Sequence, residues 1–148
     1  MRTHPIVAVT LGDPSGIGPE LIAKLFAHPE RSTHCNCVLV GDPWVWEQAQ
    51  SLTGMTPNIV PVSSFIDAQD AEPGQICFLP VNSIERHKVK TSEANSESGR
   101  AVLDILSLCL DAAKNHEIDA ICFAPLNKQA MIMLVCPMKM SCTSLLII

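Results

Sequence analysis

No run of about 18 apolar residues occurs in the 148-residue chain, so its sequence offers no candidate membrane-spanning helix. Met-Arg-Thr-His-Pro leads into an apolar run too short for the core of a secretory signal, and the expected location is the cytoplasm. Basic residues are scarce. Ten lysines and arginines against fifteen acids leave a net charge of -5 and no basic stripe, which argues against a nucleic-acid partner. The chain also lacks a G-x-G-x-x-G dinucleotide fingerprint and a Gly-Lys-Ser/Thr phosphate loop, so generic nucleotide binding is a poor inference. Of seven cysteines (Cys35, Cys37, Cys77, Cys109, Cys122, Cys136 and Cys142), Cys35 and Cys37 form a C-x-C pair beside His34, but no second pair stands at a zinc-site spacing. Reduced structural thiols are expected, with Cys77 and Cys122 inside apolar strands and Cys109 on an apolar helical face. His4, His28, His34, His87 and His116 are scattered without acidic or cysteine partners and are expected mostly at the surface.

What is present suits one modest globular domain, with 47% hydrophobic and 17% charged residues. Ile6, Val7, Ala8 and Val9 suit a buried strand, and Leu21, Ile22, Leu25 and Phe26 are expected on the packed face of a helix whose first turn holds Pro19 and Glu20. The intervening loop is glycine-rich. Gly12, Gly16 and Gly18 permit positive φ and close backbone approach, free amides at the helix start suit an anion, and Asp13 places a carboxylate at the loop's mouth.

Further strands are expected at residues 37–40, ending at a Gly41-Asp42-Pro43 turn, at 58–62 and at 75–81, with a short buried strand at 118–123 and a helix over 44–52 ending at Gly54. Residues 83–98 are polar and aperiodic, fitting a surface loop or an excursion over a cleft. Arg86, His87, Lys88 and Lys90 make a solvated loop or a local anion patch there. A strong helix spans 99–115, with Val102, Leu103, Leu106, Leu110 and Ala113 as its apolar stripe and Ser96 or Ser98 as its cap. Alternating strands and helices favour an α/β fold with a mostly parallel sheet covered on both faces, and such sheets place ligands beyond their strands' carboxyl ends. The loops after the first and last strands therefore fall on one edge. Lys128, beside Asn127, is either solvated or a point charge for a phosphate or carboxylate.

The run Thr-Leu-Gly-Asp-Pro-Ser-Gly-Ile-Gly-Pro-Glu at residues 10–20, Ser98-Gly99-Arg100 heading a helix, and Asp-Ala-Ile-Cys-Phe-Ala-Pro-Leu-Asn-Lys at 119–128 resemble the 4-hydroxythreonine-4-phosphate dehydrogenase (PdxA) family in order and spacing. The likeness covers residues 3–131, and Ser15 stands where alanine is most often expected. This resemblance implies a fold like that of the isocitrate and isopropylmalate dehydrogenases, here truncated, and a homodimer for the full-length protein. It implies oxidation, with decarboxylation, of a 4-phosphorylated hydroxy acid such as 4-phosphohydroxy-L-threonine, on the route to pyridoxal phosphate. The implied cofactors are NAD or NADP and a divalent metal (Zn, Mg or Co) that stabilises developing alkoxide charge. Gly12, Asp13, Pro14, Gly16, Gly18 and Glu20 would border the active-site cleft, with Asn127 and Lys128 as substrate or anion contacts. No catalytic step is assigned to any of them. The family's metal-binding histidines lie in a half that this chain does not match, so no metal ligand is expected here and the chain alone is expected to be inactive. D-threonate or D-erythronate 4-phosphate is an alternative substrate, and a non-catalytic phosphometabolite-binding module is an alternative function.

The likeness stops after Met131. Residues 132–148 hold no acid, one lysine, three methionines and two cysteines, and read either as a buried terminal strand or helix or as an aberrant apolar tail out of frame. Codons starting two nucleotides later permit a polar, acid-rich continuation. Exposed apolar surface is expected where further family polypeptide would pack.

Overall fold

The structure, a computed structural model, describes residues 4–28, 34–72, 74–90, 93 and 95–127. Both Lys128 and the segment 132–148 lie outside the described residues.

Five parallel strands form one sheet: β1 (Ile6–Thr10), β2 (Asn36–Gly41), β3 (Ile59–Pro61), β4 (Ile76–Pro80) and β5 (Ala120–Phe123), in the order β3-β4-β2-β1-β5. Among the described residues three α-helices cover it: α1 (Gly18–Ala27), α2 (Pro43–Thr53) and α3 (Ser96–Lys114). One face carries α1 and α2, whose Ile22, Ala23, Phe26, Val45, Trp46 and Ala49 pack on Val9, Leu39, Ile76 and Phe78. On the other, Ile105, Cys109 and Ala112 of α3 pack on Ile6, Ala8, Val38, Val40, Cys77 and Leu79. Side chains alternate between these two cores along β1 and β2, so the central strands are buried on both sides. This is the expected α/β architecture, with the strand positions correct to within a residue or two.

Three burial expectations are overturned. In α1 the packed residues are Ile22, Ala23 and Phe26, while Leu21 and Leu25 are 43% and 51% exposed. In α3 the buried face is Ala101, Val102, Ile105, Cys109 and Ala112, while Leu103, Leu106, Leu110 and Ala113 are half-buried. The helix starts earlier than expected, and its cap is Asn95, whose side chain accepts from the Ser98 amide, rather than Ser96 or Ser98. In each case apolar residues cover more than a third of the helix circumference, so periodicity leaves the orientation open by about one residue. The third concerns β5, which is exposed at Ala120, Cys122 and Phe123, because it forms an edge of the sheet and, among the described residues, α1 does not extend over it.

Candidate functional site

The β1–α1 loop and the segment after β5 meet at the carboxyl edge of the sheet. Gly12 has φ +77°, and a Cβ there would lie 2.8 Å from the Pro125 carbonyl oxygen and 3.1 Å from Ala124 Cβ. At Gly18, a Cβ would come within 2.5 Å of the Leu11 carbonyl oxygen and 3.1 Å of Ala124 Cβ. The Ala124 amide donates to the Thr10 carbonyl at 3.3 Å. Two glycines are thus required where strand, helix and neighbouring loop crowd together, one for its backbone conformation and both for close approach. Gly16 requires neither, being exposed, without positive φ and in ordinary contact with its surroundings.

Asp13 does not stand at the mouth of the loop. It is 2% exposed, and its Oδ1 accepts from the Ser15 amide at 2.8 Å and the Ser15 hydroxyl at 2.6 Å. Its carbonyl accepts from the Gly16 amide at 3.0 Å. The carboxylate therefore occupies the Ser15 amide, and the Asp13 carbonyl the Gly16 amide, that a bound anion would otherwise use, folding the loop on itself in the manner of an Asx turn. Pro14, Glu20 and Asn127 are half-buried. Ile17, at the cap position of α1, offers no side-chain cap, and Pro19 and Glu20 occupy the first turn.

A second junction on the same edge centres on Asp42, which the sequence reading treated only as part of a turn. Asp42 stands at the cap position of α2, where its carbonyl accepts from the Val45 and Trp46 amides but its side chain makes no capping bond. Its Oδ1 accepts from the amides of Ser83 at 2.8 Å and Ile84 at 3.2 Å, and its Oδ2 accepts a short bond from the Ser83 hydroxyl. Trp44 Nε1 donates to the Ile84 carbonyl at 2.9 Å, and the Val81 amide to the Gly41 carbonyl at 3.0 Å. The segment after β4 is thereby strapped to the start of α2. The Gly-Asp-Pro turn was a visible signal, but Ser83 lies 41 residues away and its pairing with Asp42 was not.

Gly12, Pro14, Asp42, Ser83, Ala101 and Val102 line a shallow recess between these junctions and α3. The recess has room for about one water. The basic cluster beyond it is a solvated loop. His87 and Lys88 lie 3.3 and 3.8 Å from Glu85, Lys90 lies 3.5 Å from Glu93, and all five side chains are exposed.

Among the described residues, no group of three or more histidine, cysteine or carboxylate side chains is placed to hold a metal ion. Cys35, Cys37, Cys77, Cys109 and Cys122 form no disulfide among the described residues, with 3.9 Å between the Cys35 and Cys37 sulfurs; Cys136 and Cys142 lie outside the described residues. Contrary to expectation Cys122 is exposed, while Cys77 and Cys109 are buried. Burial pushes both buried thiols up, that of Cys109 to about 11. Alkylation at pH 8 is therefore expected to modify Cys122 well before Cys77 or Cys109, which should react only after unfolding; peptide mass spectrometry reads the order. Because the fold favours the neutral Cys109 thiol, its contribution to stability falls as pH rises from the ordinary 9.0 towards 11.

Fold and site define an α/β chain of parallel-sheet type with its loops gathered at the strands' carboxyl ends. The family model described as "Pyridoxal phosphate biosynthetic protein PdxA" matches residues 33–142, and the chain belongs to that family. A Pasteurella multocida protein provisionally named as a 4-hydroxythreonine-4-phosphate dehydrogenase is 36% identical over 130 residues, 87% of this chain and 39% of the relative. A Clostridium botulinum protein provisionally named as a D-threonate 4-phosphate dehydrogenase is 30% identical over 131 residues, 88% of this chain and 39% of the relative. The crystal structure of a 4-hydroxythreonine-4-phosphate dehydrogenase from Burkholderia phymatum superposes with a TM-score of 0.72 at 27% identity, over 87% of this chain and 38% of that one. The chain spans about two fifths of the length of the curated relatives it matches.

Proposed function

We propose that this chain forms one wall of the substrate cleft of a dehydrogenase that oxidises a 4-phosphorylated hydroxy acid. The convergence of the β1–α1 loop with the segment after β5 carries the reading: Gly12 and Gly18 are packed against Ala124 and Pro125 on the edge where parallel sheets hold ligands. The relatives' names favour 4-phosphohydroxy-L-threonine or D-threonate 4-phosphate as substrate. NAD or NADP would accept the hydride, and a Zn, Mg or Co ion, held by residues outside those described, would stabilise alkoxide charge. Within the described portion, Asp13 and Ser15 fix the loop's shape and Asp42 holds the adjoining strap; Asn127, with Lys128 just past the described residues, would supply polar contacts towards the substrate. The reading includes cytoplasmic location and a homodimer of the full-length enzyme.

Hydride transfer needs substrate, cofactor and metal within reacting distance, so the chain alone is inactive in this reading. The test assays NAD(P)H formation by the chain alone and by the chain assembled with the remaining three fifths of the Pasteurella multocida relative. Turnover is expected only in the assembled protein, and only with the phosphorylated acid. Binding of that acid without reduction of NAD(P) would replace the dehydrogenase reading with a phosphometabolite-binding module. Equal turnover of the unphosphorylated acid would remove the assigned substrate class.

A further inference from the structure

We infer that Cys35 and Cys37 form a chelating pair for a single thiophilic cation of the zinc class, a d10 ion that takes sulfur ligands in tetrahedral geometry. Their sulfurs stand 3.9 Å apart. Two thiolates held at about 2.3 Å on one tetrahedral zinc ion have their sulfurs about 3.8 Å apart, so the pair already has the bite that such an ion requires. A disulfide brings its sulfurs to about 2.0 Å, roughly half the present separation. Chelation therefore needs far less rearrangement here than oxidation does.

The residue between the two cysteines sets that bite. Asn36 opens β2, and its amide donates to the Pro5 carbonyl at 2.9 Å. Its Nδ2 donates to the carbonyls of Ala68 at 3.1 Å and Ala71 at 3.3 Å, and the residue is buried. Three hydrogen bonds to two separate segments thus pin the centre of the C-x-C run. Cys37 is fixed in turn by ladder pairing with Val7 on one side and Ile76 on the other. Alternation along an extended chain puts residues two apart on the same side. With Asn36 turned to the core that holds Ala68, Cys35 and Cys37 are turned to the opposite face, where Cys37 packs against the core beneath α1 and α2. Ligands whose supporting backbone is already held in place lose little freedom when the ion enters.

Both thiols are half-buried, whereas Cys77 and Cys109 are sealed in the core and Cys122 is exposed. Within the described residues these two sulfurs are the protein's ligands, and water or a small exogenous thiol fills the positions that the chain leaves. Binding replaces the two S–H protons by the cation; both protons pass to solvent, and no oxidant or reductant is consumed. The ion would clip the bend at Cys35 to the first residues of β2, at the amino end of the sheet. A cation that binds this folded arrangement stabilises it.

Titration of the whole reduced chain with Zn2+ alone, in competition with a chromogenic chelator, tests the pair. One ion per chain is expected, with the unfolding temperature raised by roughly 5 °C or more at a hundredfold excess over Kd. Cys35→Ser and Cys37→Ser should each weaken binding by at least roughly 10- to 100-fold, the scale on which even loss of an orienting partner behind a metal ligand is felt. Cys122→Ser is the control and should bind unchanged. The unaltered chain supplies a second reading that does not depend on how a variant folds: Zn2+ should slow alkylation of Cys35 and Cys37 roughly tenfold or more and leave that of Cys122 as it was, read by peptide mass spectrometry. Failure to bind Zn2+, or binding indifferent to both serine variants, would overturn the pair. So would binding that survives without Cys35 or Cys37 but is removed by Cys136→Ser with Cys142→Ser, or Zn2+ that protects Cys122 and not the pair.

Discussion

Replacement of Gly12 by alanine is expected to lower stability by about 3 kcal/mol, a fall in unfolding temperature on the order of 10 °C for a domain of this size. Two costs add. At φ +77° an L-residue is strained by about 1–2 kcal/mol, and the new Cβ would lie 2.8 Å from the Pro125 carbonyl oxygen, a backbone atom that cannot rotate away. Relief would require the β1–α1 loop and the segment after β5 to separate, so the same substitution should open the proposed cleft wall. Gly16→Ala provides the contrast, because its Cβ would meet only Asp13 atoms at 3.6 and 3.7 Å. Thermal unfolding of the two variants checks the argument. A Gly12→Ala shift no larger than that of Gly16→Ala would show that the crowding is not real.

Asp42→Ala is expected to cost about 3 kcal/mol and to act locally first. The carboxylate is 3% exposed and accepts from three donors, the Ser83 amide, the Ser83 hydroxyl and the Ile84 amide. Removing it leaves these groups without their acceptor in a site where Ile84 is buried and Ser83 half-buried. It also removes a negative charge from the start of α2. Hydrogen exchange at the Ser83 and Ile84 amides should accelerate beyond what the global loss of stability explains. Asp42→Asn, which keeps one acceptor oxygen, should lose about half as much. Unchanged exchange at those two amides would mean that Trp44, through its bond to the Ile84 carbonyl, holds the strap by itself.

The central strands were legible because their apolar, β-branched runs are bounded by glycine and proline, and burial on both faces of a parallel sheet leaves such runs uninterrupted. The two distinctive loops could be assigned to one edge for a topological reason: both follow parallel strands, whose carboxyl ends point the same way. The rotation of α1 was not legible. Leu21 and Leu25 are as apolar as Ile22 and Phe26, and only the position of β1 and β2 beneath the helix decides which pair is buried. Asp13 illustrates a different limit. A carboxylate in a glycine-rich loop looks like a ligand group until the fold turns it onto Ser15.

By itself the sequence determined the α/β class, the order of strands and helices, the edge on which the loops gather and the family likeness, because each depends on local periodicity, turn chemistry and short motifs. Tertiary structure decided which helix faces are covered, that Asp42 reaches Ser83, that Gly12 and Gly18 are pressed against Ala124 and Pro125, and that β5 stands bare at an edge. The Asp42–Ser83 and Gly12–Pro125 contacts join residues 41 and 113 positions apart, and the helix rotations are set by how the layers pack and not by any pattern along the chain.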